Sequence, residues 1–250
     1  MFTMVGWYKS VDPAGAFDSL NAIPDQHVTV SGTDILVPSL NQFLAAWCCV
    51  DQTVAAQLRF RSPSLLMDGF EEYIGVLPVG LKLANPPGIE NNMGNPIALV
   101  PVEALQAWVL SNPAAPIGHY AVVLLSDGPV APVKGRIRTV RATAAIALAA
   151  GTWVNGALSF PTSLKAGNYQ IVGMRAQSAN LVAARLVIPG YAWRPGCPGS
   201  IAQTMVDYPA FRDGNMGVWG QFYHASPPTL DALGVTDTSE EVFLDLIYLG

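Results

Sequence analysis

Three histidines are the first candidates for acid–base or metal chemistry, because histidine is the side chain that titrates near neutral pH. They are His27, His119 and His224. None belongs to a His-x-His or H-E-x-x-H spacing, and none has nearby cysteines that would complete a metal site. Each stands where a predicted strand begins or ends. We therefore interpret the histidines as polar strand ends, and no metal is expected.

Carboxylates beside aromatic residues suggest a second chemistry, the hydrolysis or binding of a carbohydrate. A glycosidase needs two carboxylates across a groove, together with aromatic side chains that hold the sugar. The adjacent pairs Glu71-Glu72 and Glu240-Glu241 would point to opposite faces of a strand, which disfavours a shared groove. The second half of the chain also carries single acids and aromatics. They are Asp207, Asp213, Asp245, Trp193, Tyr208, Phe211, Trp219 and Tyr223.

The sequence contains no recognisable motif for nucleophilic catalysis or for nucleotide binding. No G-x-S-x-G is present, and Gly214–Gly220 lacks the Lys-Ser/Thr ending of a phosphate-binding loop. Cys48 and Cys49 have no basic neighbour that would favour a thiolate, and with Cys197 they form an odd set. We interpret all three as reduced thiols in apolar surroundings. The sequence predicts no enzyme, no cofactor and no small-molecule substrate.

One charged feature does have a spacing suited to binding. Lys134, Arg136 and Arg138 alternate, so a strand would present them on one face, with Arg141 just beyond. We call these four residues the basic stripe. It could contact a genome, an anionic membrane or an acidic partner. The alternative is an edge strand whose charges prevent unwanted pairing.

The C-terminal part of the chain has the opposite charge. Between residues 231 and 245 it contains five acids and no base, which would allow charge complementarity between neighbouring copies. The acids are Asp231, Asp237, Glu240, Glu241 and Asp245.

Composition limits the class of protein. Of 250 residues, 51% are hydrophobic and only 12% are charged, which excludes intrinsic disorder. A surface so poor in charge is prone to association, and interface cores are depleted of charge. The net charge of -5 predicts no general affinity for nucleic acid. No signal peptide or spanning segment is recognisable, since the weakly polar stretch 142–154 is too short.

Glycine and proline punctuate the whole chain, with 23 and 20 copies, between short apolar runs. This pattern is typical of many short strands joined by turns. Ser39–Val50 suits a helix or a buried strand, and Glu103–Leu110 after Pro101 is the best helix candidate. The prediction is an all-β chain with one or two short helices. The strands are expected at 27–37, 53–61, 119–125, 136–142, 169–176, 181–188, 218–224 and 242–248.

An internal repeat organises these strands. VAAQLRF (Val54–Phe60) matches VAARLVI (Val182–Ile188) at an offset of 128 positions. Ser39-Leu40 upstream corresponds to Ser163-Leu164. Downstream, the strand from His119 is aligned with the strand from Val218. We expect two units, residues 1–147 with an N-terminal arm and residues 148–250. Long connections at 63–94 and 189–217 favour jelly rolls over immunoglobulin sandwiches.

With these residues in view, the chain resembles the double jelly-roll major capsid proteins of tailless icosahedral viruses and phages. The resemblance rests on the VAAQLRF/VAARLVI pair, the aligned His119 and Val218 strands and the C-terminal strand VFLDLIYLG. It implies a coat subunit without enzymatic function, assembled as trimers into pseudo-hexagonal capsomers of a virion. The implied partners are other copies, minor capsid proteins, and an internal membrane or a genome on the inner face. At 250 residues the chain is short for the family, so long tower loops should be absent.

Two other interpretations stay open from the sequence. If the duplication is illusory, the chain is one elaborated jelly roll of a minor coat or spike protein. A carbohydrate-binding or adhesin-like jelly roll is the main competitor. Its candidate glycan-facing aromatics are Trp193, Trp219 and Tyr223.

Overall fold

The computed structural model describes residues 1–52, 54–67, 72–74, 78–79, 88–91, 95–200, 208–236 and 239–250. Within residues 67–94 it describes only backbone, so Glu72 has no described side chain, and Glu71, Asp207 and Asp237 lie outside the described residues. The chain forms two compact units. The first unit comprises residues 4–129 and 150–152, and the second comprises residues 1–3, 130–149 and 153–250.

The described part of the first unit contains two sheets and one short helix, α1 (Pro63–Met67). Its strands are β1 (Phe2–Val11, of which residues 2 and 3 group with the second unit), β2 (Asp18–Ser19), β3 (Asn21–Ala22), β4 (Val30–Ser31), β5 (Asp34–Leu36), β6 (Gln42–Val50), β7 (Val54–Arg61), β8 (Glu72–Ile74), β9 (Pro78–Val79), β10 (Gly88–Asn91), β11 (Ile97–Ala98), β12 (Ala104–Ser111) and β13 (Ile117–Ser126).

In its described residues, the second unit contains eight strands and one 3₁₀ turn at Pro209–Phe211. Its strands are β14 (Ile137–Ala144), β15 (Val154–Ala157), β16 (Asn168–Gln177), β17 (Leu181–Val187), β18 (Gly196–Ser200), β19 (Gly220–Tyr223), β20 (Thr229–Gly234) and β21 (Glu240–Tyr248).

Both units have the same strand order. In the first unit the two sheets run β10-β6-β13-β1-β3 and β4-β5-β12-β7-β8. In the second unit β19-β16-β21-β14 and β15-β20-β17-β18 follow the same connectivity, and a two-residue parallel pairing of β16 with β18 joins them. Eight equivalent strands in two facing sheets are the arrangement of a jelly roll. The prediction of an all-β chain with two tandem jelly rolls is confirmed.

The strand orders agree with the predicted alignment of VAAQLRF with VAARLVI, but they contradict the alignment of the His119 strand with the Val218 strand. VAAQLRF and VAARLVI lie on β7 and β17, which occupy equivalent positions. His119, however, lies on β13, whose equivalent is β21, whereas Val218 precedes β19, whose equivalent is β10. The alignment had paired apolar runs in chain order, and apolar character does not distinguish one buried strand from another.

The division between the units lies at residues 129 and 130 instead of near 147. Residues 137–144, assigned from the sequence to the end of the first unit, form β14, the first strand of the second unit. Their partner is the last strand of the chain, β21, over eight residue pairs. The basic stripe therefore belongs to the second jelly roll.

The predicted helix at Glu103–Leu110 is wrong, because this segment is strand β12. Leu105, Ala107 and Val109 are buried at every second position, which is the period of a strand. Ala, Leu, Glu and Gln are good helix formers, but pairing with β7 along six residues overrides that propensity. Pro101 belongs to a turn, in which the Glu103 N–H donates to the Val100 carbonyl at 3.2 Å.

The ambiguous segment Ser39–Val50 contains strand β6, whose residues Phe43 to Val50 are all buried. A strand covered on both faces reads as a continuous apolar run, so its sequence carries no period of two. Strand β14, in contrast, is only partly covered, because Arg138 and Arg141 are exposed while Ala142 and Ala144 are buried.

In the described part of the chain, no helix has both the length and the apolar character needed to cross a membrane.

Candidate functional site

A cleft of about 800 Å³ lies in the second unit, beside strand β14. One wall is β14 with Arg136 just before it, and the other is the segment 161–165 that leads into β16. The volume is within the range of natural ligand sites. The cleft is lined by Arg136, Arg138, Thr139, Val140, Arg141, Pro161, Thr162, Ser163, Leu164, Lys165, Tyr169, Leu246 and Tyr248.

The described residues that line the cleft include four cations and no carboxylate. Three of the cations, Arg136, Arg138 and Arg141, were predicted as part of the basic stripe. The fourth is Lys165, which comes from the opposite wall. Lys134 is exposed but does not line the cleft. The cleft is therefore an electropositive site suited to an anionic ligand.

The cations of the cleft differ in how far they are neutralised within the chain. The Arg141 guanidinium pairs with the Glu241 carboxylate, which also accepts a hydrogen bond from Gln177. Among the described residues, no hydrogen bond or ion pair engages the side chains of Arg136 and Arg138. These two arginines therefore carry the uncompensated charge on the β14 wall.

Two tyrosines hold the opposite wall in place. The Tyr169 hydroxyl donates to the Lys165 carbonyl at 2.8 Å, and the Tyr248 hydroxyl donates to the Ala166 carbonyl at 2.8 Å. Their rings pack with centroids 5.3 Å apart, and the Lys165 ammonium lies 4.5 Å from the centroid of the Tyr248 ring. The Lys165 charge is thus positioned by two strands, β16 and β21.

The β14 wall is also an open sheet edge. Strand β14 pairs with β21 on one side. On the other side, among the described residues, only Thr143 is bonded, to Ser159, by two backbone hydrogen bonds of 2.9 and 2.8 Å. In an antiparallel strand, alternate residues direct both backbone groups to the same side. Since β14 pairs with β21 without a register shift, Ile137, Thr139 and Arg141 share the direction of Thr143. Their N–H and C=O groups therefore point away from β21, toward the open edge.

Three of the four described acids of the C-terminal segment pair with arginines inside the chain. The Asp231 carboxylate accepts from Arg185 Nε at 3.1 Å, and Asp245 is bound by Arg212. Glu241 pairs with Arg141, and Glu240 is buried with 1% exposure. The complementarity between copies expected from the sequence therefore has few acids left to supply it.

Asp245 stays ionised in spite of its burial because its neighbours favour the charged form. Desolvation alone would raise the pKa of this carboxyl. Hydrogen bonds from Arg212, from the Asp213 N–H and from the Thr139 hydroxyl outweigh desolvation, and the pKa lies below its ordinary value. The group is part of the framework that carries β14 rather than a free acid.

The candidate glycan-facing aromatics do not share one exposed surface. Trp219 is a core residue with 6% exposure, and its ring meets the edge of Phe2 at a centroid distance of 5.3 Å. Trp193 is half-buried, whereas Tyr223 is half-exposed beside His224. A flat aromatic platform for a sugar ring is not assembled from these three residues.

The histidines are placed as strand and loop residues. His119 is buried, with Nε2 2.9 Å from the Ser111 hydroxyl oxygen, and burial lowers the pKa of its imidazole. His224 accepts a hydrogen bond at Nδ1 from the Gly167 N–H. The backbone N–H of His27 donates to the Asp25 carboxylate. None of these contacts forms a shared acid–base site.

The three cysteines are buried, and none of them is in a disulfide. Burial, together with the neighbouring Cys49, raises the pKa of the Cys48 thiol well above its ordinary value, which disfavours a thiolate. In the portion of the chain that the structure describes, no group of three His, Cys, Asp or Glu side chains is placed to hold a metal ion.

Sequence reasoning missed Lys165 and the Arg212–Asp245 pair. Lys165 follows Ser163-Leu164, which the repeat had already aligned with Ser39-Leu40 before the equivalent strand β6. That alignment places residues 163–165 just before β16, but it does not predict that β14 lies across the cleft from them. Only the closure of the sheet brings residues 136 and 165 to one cleft.

Comparison with known proteins adds little to this description. No protein-family model matches the chain, and no curated protein matches it. A chain in the atomic structure of Sulfolobus turreted icosahedral virus is similar at 8% sequence identity, covering 97% of this chain and 91% of that chain. The TM-score is 0.21, which is too low to establish a shared fold.

Proposed function

We propose that the chain is a coat subunit of an icosahedral virion, which assembles as a homotrimer into pseudo-hexagonal capsomers. The observation that carries this proposal is the presence of two jelly rolls with the same strand order in one chain. Three copies of such a chain contribute six similar units around one axis. A closed three-fold assembly of duplicated subunits therefore approximates six-fold symmetry.

The scarcity of charge supports an assembling subunit. Only 12% of the residues are charged, about half the usual share, and several of these charges pair inside the chain. A subunit that buries its flanks against neighbours needs little charge on those flanks. The proposal assigns the chain no catalytic reaction. Its partners would be other copies, minor capsid proteins, and a genome or internal membrane on the inner face.

An exposed apolar patch on the first unit is a candidate contact between subunits. Leu66, Val100 and Val102 are 47%, 58% and 70% exposed. Ser64 and Glu103 hold the two segments together, since the Ser64 N–H and hydroxyl donate to the Glu103 carboxylate at 2.9 and 2.6 Å. Exposed valine and leucine on a fixed turn gain from burial against a neighbour.

Light scattering after gel filtration, followed by negative-stain microscopy, tests the proposal. A trimer of about 80 kDa, from three chains of 26.5 kDa, or shells with pseudo-hexagonal units are expected. The double variant Leu66→Ser/Val100→Ser should lower the assembled fraction, and Tyr223→Ser on the second unit serves as the control. A stable 26.5 kDa monomer that binds glycan arrays would overturn the proposal in favour of a carbohydrate-binding module.

A further inference from the structure

We propose that the cleft binds an extended acidic segment of a partner protein, which adds as a strand to the open edge of β14. The proposal rests on the juxtaposition of that edge with the unpaired cations of Arg136 and Arg138. It does not depend on coat assembly, because the site lies within the second unit of a single chain.

The backbone supplies the first argument. Ile137, Thr139 and Arg141 direct three N–H and three C=O groups toward the open edge of β14, and within the described residues none of these groups has a backbone partner. Thr139 and Arg141 also line the cleft. Such a row of alternating donors and acceptors is complementary to another polypeptide strand. Sulfate and phosphodiester groups only accept hydrogen bonds, so they would leave the three carbonyls unpaired.

The first unit shows what covers the equivalent edge. There β1 occupies the position of β14, and β3 pairs with its outer side through Trp7 with Ala22 and Tyr8 with Asn21. In the described part of the second unit no strand takes the place of β3, and the cleft lies there instead. Because the two units share their strand order, the cleft corresponds to a strand position that no described strand of the chain fills.

The charges define the chemistry of the added strand. Arg136 and Arg138 are two residues apart, so their side chains leave the same face about 7 Å from one another. Acidic side chains at alternate positions of an added strand have the same spacing and would lie opposite these guanidinium groups. Lys165 faces the same space from the other wall. A segment that alternates acidic and apolar residues is therefore the best match.

Fluorescence anisotropy with a labelled peptide of about eight residues that alternates Glu and Val tests the proposal. We expect saturable binding that weakens with added salt. The double variant Arg136→Ser/Arg138→Ser should weaken the affinity by about tenfold or more. Lys134→Ser is the matched control, because Lys134 belongs to the same basic stripe but not to the cleft.

A second pair of variants tests the backbone contribution. Ile137→Pro removes an edge N–H that has no partner within the described chain, and proline is tolerated at such edge positions. Ile137→Ala loses most of the same side chain but keeps the N–H. Peptide binding should fall further in Ile137→Pro than in Ile137→Ala, with thermal unfolding confirming that both variants are folded.

Three results would overturn the proposal. One is the absence of peptide binding, which would leave the arginines as charges that protect an edge from pairing. Another is equal binding of a peptide with Lys in place of Glu. The third is tighter binding of oligothymidylate or of phosphatidylglycerol vesicles with no difference between Ile137→Pro and Ile137→Ala. That outcome would identify the cleft as a phosphate site.

Discussion

Arg212 holds Asp245 through two hydrogen bonds inside the second unit, from Nε to Oδ2 at 2.7 Å and from Nη2 to Oδ1 at 3.1 Å. The Asp245 side chain is fully buried. The Thr139 hydroxyl donates to Oδ1 at 2.7 Å and the Asp213 N–H donates to Oδ2 at 2.9 Å. One carboxylate thus ties β14, β21 and the segment after the 3₁₀ turn together, behind the cleft wall.

Asp245→Asn should destabilise the protein by about 3 kcal/mol, because it leaves the Arg212 charge without its buried partner. Urea unfolding at neutral pH measures the loss. Asp213→Asn is the matched control: Asp213 is exposed at a φ of 54°, a conformation that asparagine tolerates, and it keeps its backbone N–H. A loss of similar size in both variants would contradict the assigned role of Asp245.

The same pair predicts an acid-sensitive term in stability. Because the folded-state pKa of Asp245 is lowered, its stabilisation is complete above the unfolded-state pKa near 4 and is lost as the pH falls further. The stability difference between the parent protein and Asp245→Asn should therefore shrink below about pH 4. A difference that stays constant down to pH 2 would exclude linkage through this carboxyl.

We expect His119 to make the stability of the fold depend on pH in a higher range than Asp245 does. Burial lowers the pKa of the imidazole in the fold, and this effect exceeds the opposing influence of Asp51 and Asp18. The unfolded chain then binds a proton more readily, so stability should fall as the pH drops below about 6.5. Unfolding midpoints between pH 8 and 5 measure this fall.

Substitution separates His119 from other titrating groups. His119→Gln should flatten the dependence between pH 8 and 5. An identical slope in the parent protein and in His119→Gln would assign the dependence to another residue.

The backbone conformation of Val102 offers a site for a stabilising substitution. Its φ is 71°, in the left-handed region that disfavours a β-branched residue, and it is 70% exposed. Its N–H donates to the Val37 carbonyl at 2.8 Å, which any residue but proline preserves. Val102→Asn should raise the free energy of unfolding by about 1 kcal/mol, because asparagine visits this conformation more readily. Val100→Asn, at a residue without positive φ, should bring no gain, and an equal gain there would point to surface polarity instead of strain.

Strands in which apolar and polar residues alternate could be predicted from the sequence, whereas strands without a visible alternation could not. Val54–Arg61 shows a clear period of two and is a strand, and the alternation of Lys134, Arg136 and Arg138 leads into strand β14. Strand β12 has the same alternation in burial, but its helix-forming residues concealed it. Boundaries between units carry no local signal, since the membership of β14 depends on its pairing with β21, about a hundred residues later.

The candidate site was half predictable for the same reason. Arg136 and Arg138 could be placed on one face from their spacing, and the edge-strand interpretation of the stripe agrees with the open edge of β14. Tyr169 and Tyr248 belong to other strands and Lys165 precedes one of them, and no local sequence pattern predicts that they line the cleft. The buried state of Trp219 also depends on a residue at the other end of the sequence, Phe2.

That distant contact has a kinetic consequence. Phe2 packs on Trp219, and the Arg194 N–H donates to the Thr3 hydroxyl across 191 positions of sequence, so the second unit draws on both ends of the chain. The first unit is an insertion within it. Closing so large a loop is entropically costly and slow. The first unit should therefore fold before the second, and a fragment starting at residue 130 should complete its fold only when residues 1–3 are returned to it as a separate peptide.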